Sequence, residues 1–250
     1  MIFIVLPAYN EQDGIQPLLE RIDLTLKESH SDYKIFLVDD GSTDATRQKV
    51  ESLQTKIPVE IISHEKNKGL GESIKTGLFH AVKAAADHDV IVTMDADNTH
   101  VPGLISRLNR NIWEGCGLVI ASRYVRDARV IGVPMSRRFL GYGASFLFRL
   151  FFPIPGVRDY TCGYRAYQSA LLKRAFDVYG DEFVSEPGFS CQIDILLKLA
   201  LFHPVINEVP IILKYDARKG ASKMQVVKTV GDTLKLFARR LTKQSRRLSL

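Results

Sequence analysis

The chain has 250 residues, 46% of them apolar and 25% charged, with a net charge of +6. That balance fits one large globular domain or two small ones and excludes a disordered or collagen-like chain. Three widely spaced cysteines, Cys116, Cys162 and Cys191, exclude a zinc-ligand spacing and suggest no disulfide framework, so a reducing compartment is expected.

Taken in order, Ile2-Phe3-Ile4-Val5-Leu6 reads as a first buried strand, with no basic leader before it and Pro7 closing it. Ala8-Tyr9-Asn10-Glu11 follows, then a helix whose face carries Ile15, Leu18, Leu19, Ile22 and Leu26. A second strand from Tyr33 to Val38 ends in Asp39-Asp40-Gly41-Ser42, and Thr43 or Asp44 is placed to cap a helix over 44–54. Val59 to Ser63 is a third strand. Lys66 to Gly71 is a loop with two glycines that opens a helix reaching Ala86; its spacing is not a dinucleotide fingerprint. The fourth strand, Val90 to Met94, delivers Asp95-Ala96-Asp97. A helix from Pro102 to Glu114 and a strand over Leu118 to Ala121 come next.

Strands alternating with helices predict an α/β fold with a mostly parallel sheet, and ligands bind such sheets at the carboxyl ends of the strands. That rim collects Tyr9, Glu11, Asp39, Asp40, Asp95 and Asp97. Two carboxylates one residue apart suit a hard divalent cation, Mg²⁺ or Mn²⁺, that also holds a substrate phosphate.

Beyond Arg123 the alternation stops. Residues 123–135 read as a polar loop. Ser136 to Phe152 reads as an apolar helix too short to span a bilayer and interrupted by Arg149; it is expected either in the core or, over 139–152, at a membrane interface. Residues 159–167 read as a strand or hairpin, 169–176 and 189–202 as helices, Val205 to Leu213 as a strand, and Gln225 to Thr242 as an amphipathic helix. From Lys214 on, eleven Lys or Arg face two Asp, a local charge of +9. Such a tail calls for an anionic partner. A nucleic acid is not expected, because the rim carboxylates would repel its phosphates.

Pro7-Ala8-Tyr9-Asn10-Glu11, Val38 to Ser42, Gly69-Leu70-Gly71, Asp95-Ala96-Asp97 and Ser122-Arg123-Tyr124 resemble, in order and spacing, the inverting glycosyltransferases of family 2, of GT-A fold. Val157 to Arg165, Glu208-Val209-Pro210-Ile211 and Gly220-Ala221-Ser222-Lys223 resemble the dolichol-phosphate mannose synthase branch. The likeness covers residues 2 to about 225 and leaves 226–250 as a basic amphipathic helix and tail.

The resemblance implies that Pro7, Tyr9, Glu11, Val38 and Asp40 hold the nucleoside. It places Asp95, Ala96 and Asp97 at the diphosphate and metal. It makes Asp95, Asp97 and Arg123 the catalytic set and assigns phosphates to Arg123, Arg138, Arg218 and Lys223. Thr99 stands where the branch often has a Gln metal ligand, and Ala217 where it has an Arg. The expected reaction is metal-dependent transfer of a sugar, GDP-mannose favoured as donor, to a polyprenyl phosphate. The enzyme is expected in the cytoplasm, peripheral on the membrane face. An acceptor of that kind is already anionic and needs no general base. Two alternatives stand beside it. One is a soluble family 2 transferase acting on a sugar or polysaccharide hydroxyl, with Asp95 or Asp159 as base. The other is a nucleotide-sugar-binding module without turnover.

Overall fold

Ile2–Ala8 (β1), Tyr33–Asp39 (β2) and Val90–Thr93 (β4) are apolar along almost their whole length, so both faces of each strand are buried. They form the centre of a seven-stranded sheet together with Val59–Ser63 (β3), Leu118–Ser122 (β5), Arg165–Gln168 (β7) and Ile206–Pro210 (β8). The computed structural model describes residues 1–215 and 226–248. The sheet order is β3-β2-β1-β4-β7-β5-β8. Every pairing is parallel except those of β7, which runs against both β4 and β5. The carboxyl ends of six strands and the amino end of β7 therefore meet on one rim.

Helices cover both faces. Ile15–Glu28 (α1) buries the five apolar residues that its periodicity marks. Thr46–Glu51 (α2) is short. Leu70–Ala84 (α3) lies on β1 and β2, and Gly77 permits the approach: a Cβ there would fall 2.3 Å from a Val5 methyl. Leu104–Trp113 (α4) packs on β5 and β7. Ser169–Tyr179 (α6) and Ser190–Ala200 (α7) follow, and α7 is buried from Ser190 through Leu199. Across α7 lies Val226–Leu248 (α8), tied by Arg240 to Asp194 and by Arg239 to Glu186. Asp194 also holds Lys198 at 2.6 Å. Burial alone would raise the Asp194 carboxyl, but its bonds and attraction to Lys198 and Arg240 hold it below the usual carboxylate range.

The sheet and helices give the expected mostly parallel, GT-A (Rossmann-like) architecture with a terminal helix. Three local expectations change. Residues 159–164 are not strand, because the Asp159 carboxylate accepts main-chain N–H groups of Thr161 and Cys162 and bends the chain. The polar loop after Arg123 contains a strand, Arg129–Ile131 (β6), paired in parallel with Ile212–Lys214 (β9). The strand expected over 205–213 is accordingly split in two.

The apolar helix is Met135–Phe151 (α5). Its inner stripe is core: Phe148 is fully buried and meets Phe152, Tyr160 and Phe237 of α8 at ring distances of 5.5–6.3 Å. Phe139, Tyr142, Phe146 and Leu150 on its other faces are exposed. Among the described residues no helix is long and apolar enough to cross a membrane.

Candidate active site

At the ends of β1 and β2 two loops interlock. The Asn10 N–H donates to Ser42 Oγ, the Glu11 N–H to Thr46 Oγ1, and the Thr43 N–H to Asn10 Oδ1. Pro7, Tyr9 and Glu11 are half-buried along this edge. Val38 is fully buried, facing Gly77 of α3. Gly41 has φ of +71°, and a Cβ there would fall 2.7 Å from the Lys66 main chain, so only glycine closes this corner.

Asp40 is buried and fixes the next loop. It accepts the N–H groups of Lys68 at 2.9 Å and Gly69 at 2.8 Å, and lies 2.7 Å from His64 Nδ1. The far nitrogen of His64 meets Thr76 Oγ1 at 3.0 Å. A carboxylate on the β2 end thus aligns the glycine loop that starts α3. The next turn is closed from outside, because a Cβ on Gly71 would fall 2.2 Å from the Glu186 carbonyl oxygen.

At the end of β4, Ala96 is buried and Asp95 and Asp97 flank it. Asp97 Oδ1 accepts both the N–H and the hydroxyl of Thr99, at 3.1 and 2.7 Å, so Thr99 orients the carboxylate. Asn98, with φ of +61°, receives Arg21 from α1 at 2.9 Å and braces the turn. His100 is a residue that sequence reasoning missed. Its Nδ1 accepts the Asp95 N–H at 3.1 Å, which places the ring proton on Nε2, 3.8 Å from the Asp95 carboxylate. Its ring stacks on Tyr164 at 4.9 Å. Only its place three residues after the pair could have flagged it.

Among the described residues no three His, Cys, Asp or Glu side chains converge as a self-sufficient metal centre. Two carboxylates at one turn fit a cation that completes its oxygen shell from a substrate's phosphates.

At the end of β5, Arg123 reaches Asp159 through Nε at 2.8 Å and Nη2 at 2.6 Å, while its N–H donates to the same carboxylate at 3.0 Å. Burial opposes the Arg123 charge, but Asp159 outweighs it and raises the guanidinium above its ordinary value. Burial likewise acts to raise Asp159, and Arg123 with the surrounding N–H donors brings it below the usual carboxylate range. Held this way and fully buried, Asp159 is no proton acceptor; it positions Arg123.

Glu208 supports the same segment from β8, accepting the N–H groups of Arg158 and Asp159 at 2.7 Å. Burial raises its carboxyl. The Glu-Val-Pro-Ile motif was its signal in the sequence.

Gly141 lets α5 lie over Arg123, since a Cβ there would fall 3.6 Å from Nη1 and 3.1 Å from the Tyr124 hydroxyl. Arg138, exposed one turn earlier, shares that stripe of the helix. One rim thus gathers Pro7, Tyr9, Glu11, Val38, Asp40, Asp95, Ala96, Asp97, Thr99 and Arg123, with Arg138 on the adjoining helix. Arg218 and Lys223 lie outside the described residues.

Residues 3–176 match the model for "Glycosyl transferase family 2". By sequence the chain is 33% identical over 225 residues to a dolichol-phosphate mannosyltransferase of Pyrococcus furiosus; the match takes in 90% of this chain and 59% of that protein. It is 30% identical to a polyprenol monophosphomannose synthase of Mycolicibacterium smegmatis, with 88% and 80% covered. Among solved structures it is similar to glucosyl-3-phosphoglycerate synthase from Mycobacterium tuberculosis, at 21% identity and a TM-score of 0.65, covering 97% of this chain and 78% of that one. Structures of that enzyme hold Mn²⁺ or Mg²⁺ with UDP, UDP-glucose with Mn²⁺, and phosphoglyceric acid.

These findings correct four expectations. The Mycobacterium tuberculosis enzyme, whose fold matches across 97% of the chain, is solved with phosphoglyceric acid and with UDP-glucose, where polyprenyl phosphate and GDP-mannose were expected. The membrane partner and the placement on a membrane face fall with that acceptor. Of residues 139–152, the inner stripe is core, while Phe139, Tyr142, Phe146 and Leu150 are exposed. The chain belongs to glycosyl transferase family 2, as a sugar-transferring enzyme.

Proposed function

We propose that the enzyme transfers a hexose from a uridine-diphosphate sugar, UDP-glucose foremost, to a hydroxyl of a small anionic acceptor. The observation that carries this is the spacing of charge along the rim. The Asp95 and Asp97 pair ends β4, and the clamped Arg123 ends β5, with only β7 between them. A donor laid along the rim meets β1 and β2 with its nucleoside and β4 with its diphosphate. Pro7, Tyr9, Glu11, Val38 and Asp40 then shape the nucleoside end.

Asp97, aligned by Thr99, would hold the cation, which would supply positive charge to the departing diphosphate. Arg123 presents a permanent positive charge on the acceptor side, and Arg138 adds a second from α5. A hydroxyl nucleophile needs a proton acceptor. With Asp159 committed to Arg123, Asp95 is the carboxylate for that role. The acceptor O–H breaks, its oxygen bonds the anomeric carbon, and the bond to the diphosphate breaks on the opposite face. The sugar is inverted.

The late motifs and the mannosyltransferase relatives at 30–33% identity support a sequence kinship with the polyprenyl-phosphate branch. They do not set the acceptor. Radiolabelled UDP- and GDP-sugars, offered with phosphoglyceric acid or with a polyprenyl phosphate, test the reading. Label is expected from UDP-glucose in a water-soluble product. Label that moves only into an organic-soluble product would overturn it.

A further inference from the structure

We propose that Gln192 selects the sugar, its side-chain amide hydrogen bonding a hydroxyl of the hexose on the donor. This rests on the reading of the enzyme as a nucleotide-sugar transferase and adds a residue to it. Gln192 lies in the first turn of α7 and is 3% exposed, yet its Oε1 has no hydrogen-bond partner among the described residues. Its main chain is fixed, because Arg165 donates from Nη1 to the Gln192 carbonyl at 2.7 Å. The backbone of Gln192 is therefore held in place while the acceptor end of its side chain is unmatched. Buried side-chain polar atoms nearly always have a partner, so this oxygen calls for one.

The amide lies beside the site, with its Nε2 end nearest. A Cβ on Gly163 would fall 3.1 Å from Gln192 Nε2 and 3.8 Å from Asp95 Oδ1. The Gln192 amide and the Asp95 carboxylate therefore flank the same small glycine surface, which itself is anchored by Thr93 Oγ1 donating to the Gly163 carbonyl at 2.7 Å. Gly163 leads into β7, the strand next to β4 on the side away from β1. With the nucleoside over β1 and β2 and the diphosphate over β4, the next group along the donor is the sugar, and it falls at Gly163 and Gln192.

The chemistry selects the same group. An acceptor oxygen needs a donor, and phosphate or carboxylate oxygens have none to give. A hydroxyl both donates and accepts, so it matches an amide.

Calorimetric titration of UDP and of UDP-glucose, each with Mn²⁺, into the wild type and Gln192→Leu tests this. The variant should bind UDP within about twofold of wild type and UDP-glucose about tenfold more weakly, the scale of one hydrogen bond to a neutral partner. On the wild type, one deoxyglucose analogue of the donor should lose the same factor, and that analogue should lose nothing further on Gln192→Leu. Unchanged affinity for UDP-glucose in the variant would overturn the proposal, as would a rise in acceptor KM alone. If the variant also loses UDP, the deoxy series on the wild type decides: a series with no weakened member overturns it. A wild type that binds UDP but not UDP-glucose would instead refute the donor reading itself.

Discussion

Arg123 and Asp159 share two parallel hydrogen bonds, at 2.8 and 2.6 Å, that tie the end of β5 to the segment leading into β7. Asp159 is fully buried, so removing its charge leaves the guanidinium without compensation. Asp159→Ala is expected to cost about 3–5 kcal/mol, as breaking one side of a buried pair does. A urea titration reads this as a lower midpoint at unchanged slope. Arg123→Ala should cost turnover far more than it changes donor KM, if the arginine serves the acceptor.

The carboxylate pair sets the second prediction. Asp97→Ala should lower kcat about 10²–10³-fold, the loss seen when a transition-state charge loses its main electrostatic partner. Excess chelator should silence the wild type, and added Mn²⁺ or Mg²⁺ should restore it. Full turnover in chelator would defeat the metal role.

Gly71 faces the Glu186 carbonyl too closely for any side chain. Gly71→Ala forces main chain against main chain, with an expected cost of about 1–3 kcal/mol. The shift should also disturb the glycine loop that Asp40 aligns, so donor affinity should fall with the melting temperature. A variant that melts lower but binds UDP as before would show that the loop and this contact are independent.

The helix α5 offers a contrast between two phenylalanines two residues apart. Phe148 is fully buried and Phe146 is exposed. Phe148→Asp should unfold the protein or lower its melting point sharply, because an unpaired carboxylate enters a ring cluster. Phe146→Asp should stay within about 0.5 kcal/mol of wild type, as surface changes do. Circular dichroism melts of the two variants side by side separate them.

A pH prediction follows from Asp194. Its folded carboxyl titrates below the ordinary value of 3.8 because Lys198 and Arg240 outweigh the effect of burial. A carboxylate of lowered pKa adds stability that is complete above the unfolded value and disappears as pH falls through the folded one. The melting-point gap between wild type and Asp194→Asn should therefore be constant from pH 7 to about 5 and close in acid, below about 4. A gap that widens in acid would contradict the sign.

Much of the frame was legible because apolar runs fully buried on both faces announce themselves. The strands β1, β2 and β4 and the face of α1 are examples. The carboxylates at the strand ends were legible for the same reason, since a polar pair after such a run stands out. What escaped depended on contacts distant in sequence. Strands β6 and β9 are three residues each with mostly exposed side chains, and each exists only because of the other. Residues 159–164 read as strand, yet the Asp159 side chain competes for the main chain there. Gln192 was invisible because α7 is buried on every side, which no single polar residue in a helical pattern reveals. The role of Asp159 changed from a possible base to a brace once its partner Arg123 was placed.

The reversed strand β7 has a consequence for how this enzyme can vary. In a wholly parallel sheet the rim is supplied only by segments that follow strands. Here one segment that precedes a strand, 157–164, also reaches it, between the β4 and β5 ends. Its two termini are moored separately, at Glu208 on β8 and at Thr93 on β4. Between those moorings Asp159, Tyr160, Cys162 and Tyr164 are buried, and only Thr161 and Gly163 are half-exposed. Exchanges at those two positions would change what is presented where one substrate ends and the next begins, while the rest of the segment stays with the core.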